Sequence, residues 1–294
     1  MKTLNAPFRW LGSKVRMRSR LLEIFKTIPR CLYVEPFGGS GAMFFGKKPE
    51  NSVYNDLNGL LTNFFRKIRS EKDRAIIQEI ASYTPANFDY WHEFKDVCKA
   101  YLAQDKERLK QTLAMANLAE YDVEIAVAFA FFYCQSHAFS GSILHSFGEW
   151  LKPRGNVQYA TSIALFEEYA KRLAYTTITK RDFRECLAKH DDKDTLFYCD
   201  PPYECNSSGD YKQGWTSQDT ADLVRILCDA QGSVVLSCYD CELYRPLLDA
   251  GYTKRDFSLS SNVRMLQDDS PSAARVETVY FRNVNGATNK TTLF

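Results

Sequence analysis

The sequence predicts an α/β protein: an open sheet that begins, is interrupted by a mainly helical block, and then resumes. Three observations carry this reading. Short apolar runs at 31–35, 52–55, 174–179, 195–199, 233–237, 253–257 and 276–281 have the length and composition of strands, with helical segments between several of them. The first run enters a Gly-rich turn, Phe37-Gly38-Gly39-Ser40-Gly41, followed by the apolar segment Ala42-Met43-Phe44-Phe45, which can open a helix. From about 60 to 170 the pattern changes to long helical stretches, including Ala86 to Ala103 and Val123 to Cys134, too much chain for a simple crossover.

The first thirty residues are basic: Lys2, Arg9, Lys14, Arg16, Arg18, Arg20, Lys26 and Arg30 stand against Glu23 alone. Such an excess can lie along phosphates or form a solvated helix face. Arg16 and Arg20 are one helical turn apart, on a face distinct from Leu21, Leu22 and Phe25, which are expected to pack inward. In the turn after the first strand, Gly39 and Gly41 allow close backbone approach to a ligand, although the spacing is not that of the dinucleotide fingerprint. The second strand ends in Asn55-Asp56. Two readings of Asp56 stand: an acceptor for a ribose hydroxyl pair, and the N-cap of a helix from Leu57 to Ile68.

After the helical block, the run at 195–199 leads into Asp200-Pro201-Pro202-Tyr203. Two prolines lock φ and withhold two backbone donors, leaving carbonyls free to point into a cleft. Asp200 adds a carboxylate acceptor, and Tyr203 a face on which a flat ring can stack. An exocyclic amine on such a ring needs acceptors and a π-surface, and this tetrapeptide offers both; the plainer reading is a Pro-rich surface turn. Cys238-Tyr239-Asp240-Cys241 lacks a second pair at zinc spacing and reads as the end of a buried strand, so no metal is expected. Residues 285–294 form a polar tail.

Composition narrows the class. At 294 residues the chain can bury roughly three quarters of its unfolded surface, enough for one α/β domain and a smaller insertion. No apolar stretch is long enough to span a bilayer, and the start lacks a signal-peptide core, so a cytoplasmic protein without a membrane partner is expected. Nine scattered cysteines suit a reducing compartment. The net charge of +2 is too small to announce a nucleic-acid partner by itself.

Trp10-Leu11-Gly12-Ser13-Lys14, the turn Phe37 to Gly41, Asn55-Asp56, Asp182-Phe183 and Asp200-Pro201-Pro202-Tyr203 occur in the order seen in Dam-type N6-adenine DNA methyltransferases, the group α amino-methyltransferases, which the chain resembles in its first third and from about Ala174 onward. Pro7 and Trp10 sit one residue closer than in the usual pattern, and Ser13 replaces a frequent Gly. The resemblance implies a Rossmann-like S-adenosylmethionine-dependent methyltransferase sheet, formed by 1–59 and 171–294, with a helical target-recognition domain inserted at 60–170. It implies cofactor contacts from Trp10, Lys14, Glu35, Phe37, Gly39, Ser40, Gly41, Asp56, Asp182 and Phe183. For Asp182 a strand-end cap is the competing reading. In the inserted block, the segment from Phe139 to Asn156 reads as a loop offering His137, Ser140, Lys152 and Arg154 to phosphates or base edges. Gln135-Ser136-His137-Ala138-Phe139-Ser140-Gly141 lacks the family's usual Asn-Arg pair, so the specificity of its GATC-methylating members is not carried over.

The implied chemistry is methyl transfer to adenine N6 in double-stranded DNA. The N6 lone pair is delocalised into the ring until Asp200 and the Pro201 carbonyl, helped by the rigid Pro202, localise it, and Tyr203 would stack on the flipped-out base. None of the nine cysteines follows a proline, which excludes a C5-cytosine enzyme. An N4-cytosine methyltransferase shares the amine chemistry and stays open beside a catalytically weak DNA-binding relic. A cognate restriction endonuclease, or none, fits the sequence equally.

Overall fold

The structure, a computed structural model, describes residues 3–138, 153–203, 214–259 and 275–285, and leaves out the side chains of 153–156, 259 and 275. Seven strands, β1 (Leu32–Glu35), β2 (Ser52–Asn55), β3 (Thr176–Thr179), β4 (Thr195–Cys199), β5 (Ser233–Cys238), β6 (Thr253–Leu259) and β7 (Arg275–Arg282), form one sheet in the order β3-β2-β1-β4-β5-β7-β6. β4 runs parallel to β1 and β5, whereas β7 is antiparallel to β5 and β6. Every residue of β4 and β5 is buried, the pattern of strands covered on both faces. All seven sequence-predicted strands are present. The third starts at Thr176, because a helix runs to Leu173 and Tyr175 is exposed.

Twelve helices occur among the described residues. α1 (Arg18–Lys26) and α2 (Ala42–Gly46) flank β1 in the chain. α3 (Gly59–Arg69), α4 (Glu71–Tyr83), α5 (Phe88–Leu102), α6 (Lys106–Met115), α7 (Val123–Ser136), α8 (Pro153–Ala164) and α9 (Phe166–Leu173) lie between β2 and β3. α10 (Phe183–His190), α11 (Ser217–Asp229) and α12 (Pro246–Asp249) alternate with the later strands. No described helix is long and apolar enough to cross a membrane.

The chain divides into two compact units. The first comprises Met1–Arg18, Gly38–Pro49 and Tyr54–Arg181. Its core helix, α7, is apolar all round and buried from Ile125 to Gln135, as a helix surrounded by others must be. Phe132 stacks on Phe64 of α3 at 5.5 Å, and Phe94 of α5 meets Tyr133 edge-on at 4.9 Å. The Trp91 indole donates to the Cys134 carbonyl, satisfying a buried polar group.

The second unit comprises Ser19–Phe37, Glu50–Val53 and Asp182–Phe294. Val34, Phe197, Val234 and Leu236 of its strands pack with Phe183, Leu187, Leu223 and Leu227 of α10 and α11. On α1 it is Leu21, Ile24 and Phe25 that are buried; Leu22, expected inward, is only half-buried. Phe25 meets Tyr33 at 5.7 Å and Tyr198 at 5.4 Å. The strand order reverses between β1 and β4, so the carboxyl ends of these two strands open the crevice where sheets of this kind bind ligands.

Candidate active site

In the second unit, the register Val34↔Phe197 brings Glu35, the last residue of β1, and Phe37, just beyond it, to the same sheet edge as Asp200 to Tyr203, just beyond β4. Glu35 is buried and accepts from the Tyr33 hydroxyl at 2.6 Å. Asp200 is half-buried and Pro201 buried. The Tyr203 ring packs on the unit's core and lies 4.6 Å from Tyr239. Its hydroxyl is 3.0 Å from Asp200 Oδ1 and 2.9 Å from Glu277 Oε1. Burial, reinforced by the negative charges of Asp200 and Glu277, holds the Tyr203 phenol well above its ordinary pKa, so it remains a proton donor. Glu277 is buried on β7, whose register Cys238↔Thr278 sets it beside the end of β5. No local pattern marked it.

An aromatic cluster stands at the same edge. Phe37, Phe183 and Trp215 meet pairwise at 5.2–5.5 Å, and the Trp215 indole donates to Thr220 Oγ1. Asp182 is the N-cap of α10, accepting from the Arg184 amide at 2.9 Å. The Arg184 guanidinium lies 4.3 Å from the Phe183 ring and also pairs with Asp182, Asp219 and Asp222. The capping role weighed for Asp182 is thus present, and Arg184 fixes both Asp182 and Phe183. Sequence reading missed Arg184 and Trp215.

In the first unit, the Gly-rich turn is held by backbone and side-chain bonds. The Gly38 amide donates to the Asn55 carbonyl at 2.8 Å, and the Gly41 amide to the Gly38 carbonyl at 2.9 Å. The Asp56 carboxylate accepts from the Gly39 amide through Oδ2 and from the Asn58 amide through Oδ1, each at 2.8 Å. Gly39 (φ +50°) and Gly41 (φ +72°) are left-handed, which favours glycine. A Cβ on Gly39 would sit 3.2 Å from the Trp10 indole nitrogen. Ser40 is buried, and so is Lys14, whose Nζ donates to the Gly12 carbonyl at 2.9 Å.

The N-cap of α3 is Asn58, whose side chain accepts from the Leu60 amide; Asp56 does not cap the helix, because it lies two residues before the cap, with one oxygen on the Gly39 amide of the turn and the other on the Asn58 amide. Burial pushes the Asp56 pKa up to about 6, against the downward pull of the two amides. A backbone cradle with two left-handed glycines, bordered by a Trp ring and a half-buried carboxylate, suits a nucleoside with a free diol.

Of the residues expected at the recognition loop, His137 is buried at the end of α7, between the Tyr133 and Tyr159 rings, with Nδ1 2.9 Å from the Tyr133 carbonyl. Burial lowers its pKa. It is a core histidine in this structure, placed by the apolar helix that it ends. Ser140 and Lys152 lie outside the described residues. Residues 153–156, expected in the loop, open α8; the side chain of Arg154 is outside the description.

Comparison with known proteins agrees with this geometry. Residues 10–260 match the family model of D12 class N6 adenine-specific DNA methyltransferases. The chain is 25% identical over 281 residues to the retron Ec67 DNA adenine methylase of Escherichia coli, covering 91% of this chain and 88% of the relative. It is 26% identical over 268 residues to a DNA adenine methylase of Haemophilus influenzae, covering 86% of each. Against the DNA N-6-adenine-methyltransferase of Escherichia phage P1 the identity is 27% over 245 residues, 78% of this chain and 29% of the longer phage protein.

Proposed function

The chain belongs to the D12 class N6 adenine-specific DNA methyltransferase family, and from that premise we propose that it uses S-adenosylmethionine to methylate N6 of an adenine turned out of duplex DNA within a specific sequence. The observation that carries the reading is Asp200-Pro201-Pro202-Tyr203 at the carboxyl end of β4, with the Asp200 carboxylate tied to a phenol held protonated by burial.

Asp200 and the Pro201 carbonyl accept from the two N6 hydrogens, drawing the lone pair out of the ring as the amine pyramidalises. Preorganised acceptors of this kind favour the charge that develops on nitrogen. Pro202 stiffens the turn, and the Tyr203 face offsets part of the few kcal/mol needed to unstack the base. When bound, the cofactor supplies a methyl group on a sulfonium, already activated for in-line displacement. Trp10, Lys14, Glu35, Phe37, Gly39, Ser40, Gly41, Asp56, Asp182 and Phe183 are the residues we assign to holding it: Asp56 for the ribose diol, Asp182 and Phe183 for the adenine.

We assign target choice to the inserted segment 60–170, with Ser140, Lys152 and Arg154 as its DNA contacts; His137, buried at the end of α7, packs within the unit. A partner endonuclease would make this the modification half of a restriction pair, and an enzyme acting alone fits equally.

Asp200→Ala is expected to bind S-adenosylmethionine as the parent does and to lose methyl transfer by a factor of about a hundred or more, the effect of removing a preorganised acceptor worth about 3 kcal/mol. Parental turnover on duplex DNA would overturn the assignment.

A further inference from the structure

The Tyr203 hydroxyl lies within hydrogen-bond distance of two carboxylates, 3.0 Å from Asp200 Oδ1 and 2.9 Å from Glu277 Oε1, yet carries one proton. Glu277 is 74 residues away in sequence and reaches the site from β7, an interior strand paired to both β5 and β6. It is buried at 6% exposure. A carboxylate in such a place is expensive to keep unless it has work as an acceptor. The Tyr203 phenol donates to it, and a turn stiffened by prolines fixes the backbone but not the rotation of a ring about its side-chain bonds.

We infer that Glu277 is a positioning residue for methyl transfer: by accepting from the Tyr203 hydroxyl it fixes the ring plane and draws the one phenolic proton away from Asp200, so that this carboxylate can accept from the substrate amine. With the phenol anchored on the sheet, the Tyr203 ring is a stacking face held beside the Asp200 acceptor. Without the anchor the ring can turn about χ1 and χ2, and the phenol donates to Asp200 alone, competing with the substrate amine for that carboxylate. Proton location follows from the same geometry. The phenolic proton bridges two acids that cannot both take it, so Glu277 and Asp200 compete for one donor, and a substrate amine offering hydrogens to Asp200 lets the phenol turn fully to Glu277. Glu277 thereby helps the site to accept the amine as well as to hold the ring. This inference rests on Asp200 being the amine acceptor.

The test is a double-mutant cycle on the full-length protein, read as the single-turnover rate of labelled methyl transfer to unmethylated genomic DNA, with cofactor and DNA affinities measured separately. A hydrogen bond to a charged group is worth enough that its loss slows the reaction about ten-fold or more. Glu277→Ala and Tyr203→Phe are each expected to show that loss in rate, with S-adenosylmethionine affinity unchanged within about two-fold. Glu277→Gln keeps an acceptor for the phenol and should restore most of the rate. The double variant Tyr203→Phe with Glu277→Ala should be no slower than Tyr203→Phe alone, because Glu277 acts only through the hydroxyl. A Glu277→Ala rate equal to the parent's, a Gln variant as slow as Ala, or losses that multiply in the double variant would each overturn the inference. Should Glu277→Ala fail to fold, Tyr203→Phe at the parental rate would overturn it alone. An Asp200→Ala control separates the two levels: if it is inactive while Glu277→Ala is normal, only the positioning role fails, whereas an active Asp200→Ala removes the underlying assignment.

Discussion

Asp56 makes cofactor affinity depend on pH in a direction that its surroundings determine. Burial raises its pKa from 3.8 to about 6, although the Gly39 and Asn58 amides both donate to it. A ribose diol donates two further hydrogens, and so binds the ionised carboxylate better than the acid. Lowering the pH from 7.5 to 5 protonates Asp56 in the free protein, and affinity should fall by up to about ten-fold per pH unit below 6. Stability of the free protein should move the other way. The folded pKa lies above the unfolded one, so the fold holds a proton that the unfolded chain has released. That contribution is complete below about pH 4 and is lost as pH rises through about 6, amounting to at most about 3 kcal/mol. Calorimetric titration of S-adenosylmethionine into the parent and Asp56→Asn between pH 5 and 7.5 is the assay. The parent should lose affinity towards pH 5, while the Asn variant should bind weakly without a step near 6. Affinity independent of pH in the parent, or the same step in Asp56→Asn, would refute the reasoning.

Further outcomes follow from the Gly-rich turn and the inserted helices. Gly38→Ala places a Cβ 2.2 Å from Cε2 of the Tyr54 ring, which is fully buried and whose hydroxyl donates to the Gly39 carbonyl. Overpacking there should destabilise the protein by about 1–3 kcal/mol in thermal or denaturant unfolding, and parental stability would show that the turn is not packed on Tyr54. Gly39→Val should leave the fold intact but abolish S-adenosylmethionine binding, since a branched residue at φ +50° is strained and would crowd Trp10; parental affinity by calorimetry would move the cradle elsewhere. Arg154→Ala should relax one base position of the modified site at a cost of about 1–3 kcal/mol in discrimination. Uniform weakening across all sites would instead make it a phosphate contact.

The sheet was legible because its central strands are buried on both faces and read as unbroken apolar runs, Thr195 to Cys199 and Ser233 to Cys238 above all. The glycines were legible for a related reason, since a left-handed turn leaves few other choices at Gly39 and Gly41. Side-chain roles were harder to read wherever they depend on what the fold brings from far away. Asp56 looked like a helix cap because an acid precedes a helical run, but the Gly39 amide claims one oxygen and α3 starts two residues later than the earliest cap would allow. His137 looked available because a polar, Gly-containing stretch follows it; the apolar α7 buries it among Tyr133 and Tyr159. Glu277 and Arg184 carried no signal at all. One depends on the register of an antiparallel strand, the other on two acids a helix away.

The central claim, adenine N6 methylation with Asp200 as amine acceptor, is tested most directly by modified-base sequencing of DNA from cells that express the protein, beside cells that express Asp200→Ala. N6-methyladenine within one recurring sequence context, absent from the Asp200→Ala cells, is the result this structure predicts. N4-methylcytosine in place of methyladenine, or adenine methylation that persists in the Asp200→Ala cells, would contradict it.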